Sequence, residues 1–168
     1  MFCHPILLCG FMASGKTTIG QLLSEKLSLP FYDTDAMIIA KTGHSIPELF
    51  SLYGESGFRD IEHDIAGSIP CLPPCIVSTG GGLLTFSRNG DLLKGKTTIV
   101  LLDRSFDLTW ESLITCQDRP LVKGKTKEDV KVLYDARVPL YRKYADIVLP
   151  NNDTPEAAVA ALQKILES

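Results

Sequence analysis

A glycine-rich turn near the start of the chain has the residue types and the spacing that bind phosphate. Residues 10–17 read Gly-Phe-Met-Ala-Ser-Gly-Lys-Thr, or G-x-x-x-x-G-K-T, directly after the apolar run Ile6-Leu7-Leu8-Cys9. This order predicts a strand, a loop whose backbone N–H groups point at phosphate oxygens, and a helix N-terminus. Lys16 can reach the β- and γ-phosphates, and Thr17 can ligate Mg²⁺. An ordinary glycine-rich turn is the alternative, but the complete pattern favours a nucleoside triphosphate site.

Two acids lie where a second strand is predicted to end. Asp33 and Asp35 flank Thr34, and open α/β sheets bind ligands beyond the carboxyl ends of their strands. A kinase needs one carboxylate to orient or deprotonate the accepting hydroxyl, and another to hold the water shell of Mg²⁺. One of the two can equally cap a helix. The spacing alone leaves both roles open.

A triple glycine and three arginines supply further candidates. Gly80, Gly81 and Gly82 follow a predicted strand, so a ligand can lie against bare backbone there, although a flexible turn is the alternative. Most arginines are surface residues. If two of the three arginines meet over the glycines, they can clamp a substrate carboxylate, and one in a loop can neutralise a phosphoryl group. The three are Arg59, Arg119 and Arg137.

Apolar, β-rich stretches alternate with segments of helical spacing, which predicts a mainly parallel sheet covered by helices. The predicted strands span 6–9, 29–32, 75–78, 97–102 and 145–149, and the predicted helices span 15–27, 35–42, 46–53, 55–69, 107–113, 127–143 and 155–166. The polar, basic stretch 116–127 is typical of a loop. No linker interrupts the chain, so residues 1–168 are predicted to form a single domain.

Composition narrows the class of protein. A net charge of −3 over 168 residues argues against a dominant nucleic-acid partner, and no apolar run is long enough to predict a membrane span. The five cysteines, an odd number at irregular spacing, predict reduced, buried thiols and hence a reducing cytoplasm. Zinc at Cys71 and Cys75 is disfavoured because Pro73 and Pro74 lie between them and no second Cys/His pair follows.

These motifs, taken in order over nearly the whole chain, resemble the shikimate kinase family. The set is Gly-Phe-Met-Ala-Ser-Gly-Lys-Thr-Thr at 10–18, Asp33-Thr34-Asp35, Thr42-Gly43-His44-Ser45-Ile46, Gly54-Glu55-Ser56-Gly57-Phe58-Arg59, Thr79-Gly80-Gly81-Gly82, Arg119-Pro120-Leu121 and Arg137-Val138-Pro139-Leu140-Tyr141. The resemblance implies an α/β fold of the P-loop, nucleoside-monophosphate-kinase-like type, with a five-stranded parallel sheet flanked by helices. It also implies a mobile lid at about residues 112–126 and a substrate-binding segment at about 33–61.

The same resemblance implies transfer of the γ-phosphoryl of ATP to the 3-hydroxyl of shikimate, on the route to chorismate and the aromatic amino acids. ATP and shikimate are the implied partners and Mg²⁺ the implied cofactor of a monomeric enzyme. The implied catalytic residues are Lys16, Asp35 and Arg119. The implied ATP-binding residues are Ala13, Ser14, Gly15, Lys16, Thr17, Thr18 and Arg119, and the implied shikimate-binding residues are Asp35, Arg59, Gly80, Gly81, Gly82 and Arg137. Thr17 would ligate Mg²⁺ directly and Asp33 through water.

The chain also departs from the pattern of the family. Ala13 replaces a glycine usual inside the phosphate loop, so this position must adopt a backbone geometry that alanine tolerates. The stretches 109–113 and 152–155 lack the arginines that often contact adenine in the family. Trp110 can stack on the base but is more typical of a core residue. Arg104 is a further candidate neighbour of the base.

Two other functions are compatible with the sequence. A kinase for gluconate or another small metabolite can use the same scaffold, because the fold does not fix the acceptor. A nucleotide-dependent binding module, in which the arginines hold a partner, would bind ATP without phosphorylating a small acid. The acid pair Asp33 and Asp35, together with Arg59 and Arg137, favours a small polyhydroxy carboxylate as the acceptor.

Overall fold

A five-stranded parallel sheet forms the centre of the molecule. The computed structural model describes residues 3–115 and 124–168. The strands are β1 Ile6–Cys9, β2 Phe31–Asp33, β3 Ile76–Ser78, β4 Thr98–Asp103 and β5 Ile147–Pro150. Their order across the sheet is β2-β3-β1-β4-β5, and every neighbouring pair is parallel. The sheet predicted from the alternating pattern is therefore confirmed.

The central position of β1 follows from its composition. All four residues of β1 are buried, as expected of a parallel strand with helices over both faces. Leu7 pairs with Val77 on one side and with Ile99 on the other. The glycine-rich turn that follows β1 therefore emerges at the middle of the carboxyl edge, with β2 and β3 on one side and β4 and β5 on the other.

Seven α-helices surround the sheet in the described part of the chain. They are α1 Lys16–Leu27, α2 Thr34–Thr42, α3 Ile46–Ser68, α4 Ser87–Leu93, α5 Phe106–Thr115, α6 Lys127–Tyr144 and α7 Pro155–Leu166. Three of them begin with a side-chain cap predicted by the N-cap preference for serine and threonine: Ser45 and Thr126 form capping boxes, and Thr154 caps the helix that starts at Pro155.

Three helical predictions need correction. The helices predicted at 46–53 and 55–69 are one element, α3, broken at Gly54, where φ 66° and ψ −176° are not helical. Helix α4 was not predicted, because Gly90 in its interior has low helix propensity; a β-carbon there would lie 2.5 Å from the Tyr144 ring, so packing selects the glycine. Helix α5 spans Phe106–Thr115 and so continues two residues beyond the predicted end at 113.

The core lies on both faces of the sheet, as strand alternation requires. On one face Leu7, Cys9 and Val77 pack with residues of α6, and on the other Ile6, Leu8 and Ile76 pack with residues of α1 and α7. No helix in the described ranges is long and apolar enough to cross a membrane.

The cysteines depart in part from the prediction of buried thiols. Cys9 and Cys75 are buried and Cys3 and Cys71 are exposed, none of the four in a disulfide, while Cys116 lies outside the described residues. Burial raises the pKa of Cys9 to about 12. The Cys9 thiol is therefore neutral and acts as a small apolar group.

Candidate active site

The phosphate loop folds around the side chain of Lys16. Gly15 precedes α1 in the left-handed conformation with φ 82°, and Gly10 has φ 149°. The Lys16 Nζ donates to the carbonyl oxygens of Gly10 and Phe11, both at 2.9 Å. The ammonium group therefore lies within the turn, beside the backbone groups that the sequence predicts to face phosphate. Thr17 and Thr18 are exposed in the first turn of α1, and Ser14 is buried.

Ala13 adopts the left-handed region, with φ 57°. This conformation favours glycine, because the β-carbon of an L-residue approaches the following carbonyl. We expect Ala13→Gly to raise the free energy of unfolding by about 0.5–1 kcal/mol, the relieved strain being partly offset by the entropy of glycine in the unfolded chain. Urea denaturation measures this change.

Ser28 provides the matched control for that prediction. It is the other non-glycine residue with positive φ in the described chain (φ 53°), and it lies at the far end of α1. Ser28→Gly should stabilise by a similar amount, because the same strain is relieved without touching the phosphate loop. A fall in the stability of Ala13→Gly, with Ser28→Gly stabilised, would contradict strain at Ala13.

One acid of the pair caps a helix. Asp33 caps α2, because its Oδ1 accepts from the backbone N–H groups of Asp35 at 3.0 Å and Ala36 at 3.2 Å. Between the two acids, Thr34 is fully buried, and its Oγ1 accepts from the N–H of Gly80 at 2.9 Å. This bond fixes the start of the triple glycine beside α2. The capping role weighed in the sequence thus belongs to Asp33.

Asp35 faces the triple glycine. A β-carbon at Gly80 would lie only 2.9 Å from its Oδ1. Burial, together with the nearby charge of Asp33, raises the pKa of Asp35, against the opposing effects of Lys16 and Arg59. Asp35 is therefore a carboxylate with increased basicity, close enough to Lys16 to interact with it.

Two guanidinium groups converge on the same glycines. A β-carbon at Gly82 would overlap Nη1 of Arg59, and one at Gly81 would lie 3.9 Å from Nη1 of Arg137. Arg59 comes from α3 and Arg137 from α6, so helices distant in sequence supply the two cations. The absence of a side chain at Gly82 is what leaves room for Arg59, whereas Arg137 lies at ordinary contact distance from Gly81. This is the geometry that a carboxylate clamp requires.

Glu62 completes the cluster and was missed in the sequence. It is 2% exposed, and its Oε2 accepts from Nη1 of Arg59 at 2.9 Å. Burial raises the pKa of Glu62, and Asp35 adds to that effect while Arg59 and Arg137 oppose it. The spacing Arg59-x-x-Glu62 on one helix was the available signal, because residues three apart share a helix face. Glu62 orients Arg59 toward the glycines.

Tyr141 of α6 bonds to the backbone of the triple glycine, a contact that was also missed in the sequence. Its hydroxyl donates to the carbonyl oxygen of Gly81 at 2.5 Å and also bonds to Arg137. Burial raises the pKa of Tyr141 to about 12, so the hydroxyl keeps its proton and remains a donor. One residue thus sets the position of Gly81 relative to Arg137.

A second region lies beside the ends of β4 and β5. Arg104 follows β4, and its Nη2 donates to Oγ of Ser112 at 3.4 Å, while its Nε has no hydrogen-bond partner within 3–115 and 124–168. Trp110 is partly buried against the core, as predicted. Arg104, the candidate neighbour of the base, therefore lies directly after the carboxyl end of β4. Arg119, predicted to reach the phosphates, lies outside the described residues.

The chain is similar to known proteins over nearly its whole length. The family model described as shikimate kinase matches residues 12–167. The chain belongs to the shikimate kinase family. A curated shikimate kinase of Aquifex aeolicus (strain VF5) is 36% identical over 162 residues, which cover 96% of this chain and 95% of the relative. This chain therefore has the kinase class and the P-loop fold of the family.

Solved structures extend the comparison. A shikimate kinase from Acinetobacter baumannii, in complex with shikimate, superposes with a TM-score of 0.88 at 33% identity, covering 98% of this chain and 94% of that one. A gluconokinase from Sinorhizobium meliloti 1021 reaches a TM-score of 0.61 at 15% identity, covering 99% and 97% of the two chains. The similarity to the gluconokinase, at 15% identity, shows a shared fold and nothing about the acceptor.

Proposed function

We propose that this protein transfers the γ-phosphoryl group of ATP to the 3-hydroxyl of shikimate, giving shikimate 3-phosphate and ADP. The observation that carries the proposal is the convergence of Asp35, Arg59 and Arg137 on the backbone of residues 80–82. That backbone adjoins the phosphate loop, since a β-carbon at Gly81 would lie 4.0 Å from the carbonyl oxygen of Gly10. Acceptor and donor groups thus share one cleft.

The acceptor binds by its two chemical ends. The guanidinium groups of Arg59 and Arg137 pair with the carboxylate of shikimate, since planar donors suit bidentate recognition. The Asp35 carboxylate accepts from the ring hydroxyls and takes the proton of the 3-hydroxyl as transfer proceeds. Gly80, Gly81 and Gly82 let the ring lie against bare backbone. The acceptor recognised is therefore a small acid that also carries hydroxyls.

The nucleotide binds through the phosphate loop. The N–H groups of residues 13–18 surround the phosphates, and the Lys16 ammonium exchanges its two loop carbonyls for β- and γ-oxygens. Arg119 neutralises charge on the transferring group from the segment before α6. Phosphoryl transfer depends mainly on positioning and charge, so these cations supply most of the rate enhancement.

Mg²⁺ fits the donor set at the start of α1 and the end of β2. No group of three or more His, Cys, Asp or Glu side chains within 3–115 and 124–168 could hold a metal ion. Mg²⁺ does not need one, because it keeps several waters and shares the substrate phosphates. The Thr17 hydroxyl would ligate it directly, and the Asp33 carboxylate, held in place by its capping bonds, would hold its water. When bound, Mg²⁺ offsets charge between the β- and γ-phosphates.

The partners proposed for the enzyme are the small molecules ATP and shikimate. The monomeric state, the cytoplasmic location, the absence of nucleic-acid and membrane partners, the single domain and the lid stay predictions from sequence and resemblance.

A coupled ADP-release assay tests the proposal. The enzyme with Mg²⁺ and ATP is given shikimate, gluconate or no acceptor, and the product is checked by ³¹P NMR for a phosphate ester at the 3-position. We expect only shikimate to accelerate ADP release. Acceleration by gluconate would assign a different acceptor, and ATP binding without turnover of either acid would favour a binding module. Rapid hydrolysis without acceptor would contradict a site that excludes water.

A further inference from the structure

A buried asparagine outside the catalytic cluster contacts the phosphate loop. Asn151 directly follows β5 and is 3% exposed. Its Nδ2 donates to the carbonyl oxygen of Ser14 at 2.6 Å, and its backbone N–H donates to the carbonyl oxygen of Asp103 at 2.9 Å. The amide orientation is fixed by chemistry, because a carbonyl oxygen only accepts. Nothing in the proposed mechanism so far uses this residue.

The bond acts on one peptide group of the loop. The carbonyl of Ser14 and the N–H of Gly15 belong to the same planar unit, which is trans because the described chain contains no cis peptide bond. In a trans peptide the two groups point in opposite directions. Holding the Ser14 carbonyl toward Asn151 therefore turns the Gly15 N–H away from Asn151.

Gly15 lies between two restrained carbonyl groups, since Asn151 holds that of Ser14 and the N–H of Ile19 donates to that of Gly15 itself at 2.9 Å. It has φ 82°, in the left-handed region that glycine enters without steric cost, and it stands at the N-terminus of α1. Its N–H is one of the donors that a helix start leaves without an intrahelical partner. A glycine in this position gains its orientation from its neighbours, and Asn151 supplies the contact on the carbonyl side.

We propose that Asn151 is a positioning residue that aims the Gly15 N–H at a nucleotide phosphate. The inference rests on the proposed function, in which this loop binds the phosphates of ATP. It assigns to the β5–α7 turn a role in the strength of phosphate binding and none in acceptor binding.

Gln163 offers a matched carboxamide control in α7. Its Nε2 donates to Oε1 of Glu167 at 2.8 Å, a contact at the far end of that helix from the phosphate loop. Asn151→Ala removes the contact to Ser14, and Gln163→Ala removes the contact to Glu167. Asn151→Asp keeps the size of the side chain but places a carboxylate oxygen against the Ser14 carbonyl oxygen, so the hydrogen bond is replaced by repulsion.

The experiment measures Mg²⁺-ADP and shikimate binding to the full chain by isothermal titration calorimetry. We expect Asn151→Ala to raise the Kd for ADP about 10-fold, the loss typical of one well-aimed bond to a charged group, and Asn151→Asp to raise it further. Gln163→Ala should leave the Kd for ADP unchanged, and all variants should keep the Kd for shikimate. In ¹⁵N-labelled protein, ADP should move the Gly15 amide proton resonance in the wild type and much less in Asn151→Ala.

The possible results distinguish a failure of the role proposed for Asn151 from a failure of the proposed function. A folded Asn151→Ala that binds ADP as the wild type does overturns the inference alone, as does an equal loss in Gln163→Ala or an equal loss of shikimate affinity. If Asn151→Ala does not fold, unimpaired ADP binding by the size-matched Asn151→Asp overturns it. A wild-type protein that binds no ADP contradicts the proposed function, and the inference with it.

Discussion

Asp35→Asn is expected to lower kcat by about 10²–10⁴-fold, the usual contribution of a general base. Asparagine keeps the size of the side chain and its bonds to hydroxyls, but it cannot accept a proton at the reacting oxygen. The KM for ATP should change little, because Asp35 faces residues 80–82 and not the interior of the phosphate loop. Initial rates at saturating ATP and varied shikimate measure the effect.

Two controls accompany the Asp35→Asn measurement: the thermal stability of that variant, and the substitution of a second aspartate outside the site. Burial disfavours the ionised form of Asp35, so its loss should not lower the Tm at neutral pH. Asp64→Asn removes an exposed acid of α3 that pairs with Lys41 at 3.6 Å, and its kcat should equal that of the wild type. An Asp35→Asn enzyme that turns over normally would remove Asp35 from the mechanism.

The raised pKa of Asp35 also predicts where kcat/KM falls on the acid side of the pH profile. The ionised form is the base, and its fraction falls as pH falls through the pKa. Since burial and Asp33 raise that pKa, kcat/KM should begin to decline at a higher pH than an ordinary aspartate would give. A pH profile of kcat/KM for shikimate that stays level until an ordinary aspartate titrates would contradict this.

Lys16→Ala is expected to lower kcat by about 10²–10³-fold, the loss typical of removing one preorganised charge or donor from a transition state. The KM for ATP should rise as well, because the same ammonium serves the bound nucleotide. Its Nζ lies within the loop, bonded at 2.9 Å to the carbonyl oxygens of Gly10 and Phe11, and exchanges these bonds for phosphate oxygens when the nucleotide binds. Single-turnover kinetics with ATP separate the chemical step from binding.

Two further lysine variants serve as controls for Lys16→Ala. Lys26→Ala changes an exposed lysine in the last turn of the same helix and should leave both kinetic constants unchanged. Lys16→Arg should restore little activity, since a planar guanidinium does not fit a site made for a compact ammonium. Circular dichroism establishes that the loop variants are folded. A kcat for Lys16→Ala close to that of the wild type would exclude Lys16 from phosphoryl transfer.

The parts of the site that sequence predicts well are local. The turn from Gly10 to Thr17 carries its own geometry, because glycine spacing, the preceding strand and the following helix all lie within a short segment. The alternation of strands and helices likewise predicts the parallel sheet. The cap at Asp33 was available from spacing, although its neighbour Asp35 matched the same rule, so the choice between them needed the structure.

The parts that sequence misses depend on contacts between distant segments. Ser14 and Asn151 meet across 137 positions, and nothing near Asn151 indicates a phosphate loop. Glu62 and Tyr141 are recognisable only once the glycines at 80–82 are seen between α3 and α6. The convergence of Arg59 and Arg137 came from resemblance to a family, since spacing along the chain hides it. Helix α4 was missed because packing against Tyr144, and not propensity, selects its glycine.

The four charged side chains around the triple glycine have a consequence for how an anion arrives. Arg59 and Arg137 are matched in formal charge by Asp35 and Glu62, and the whole chain carries −3. Steering of ligands through solvent depends on a surplus of charge, and these four side chains together supply none. Their selection among acids therefore takes place after collision, by fit and hydrogen bonding at short range.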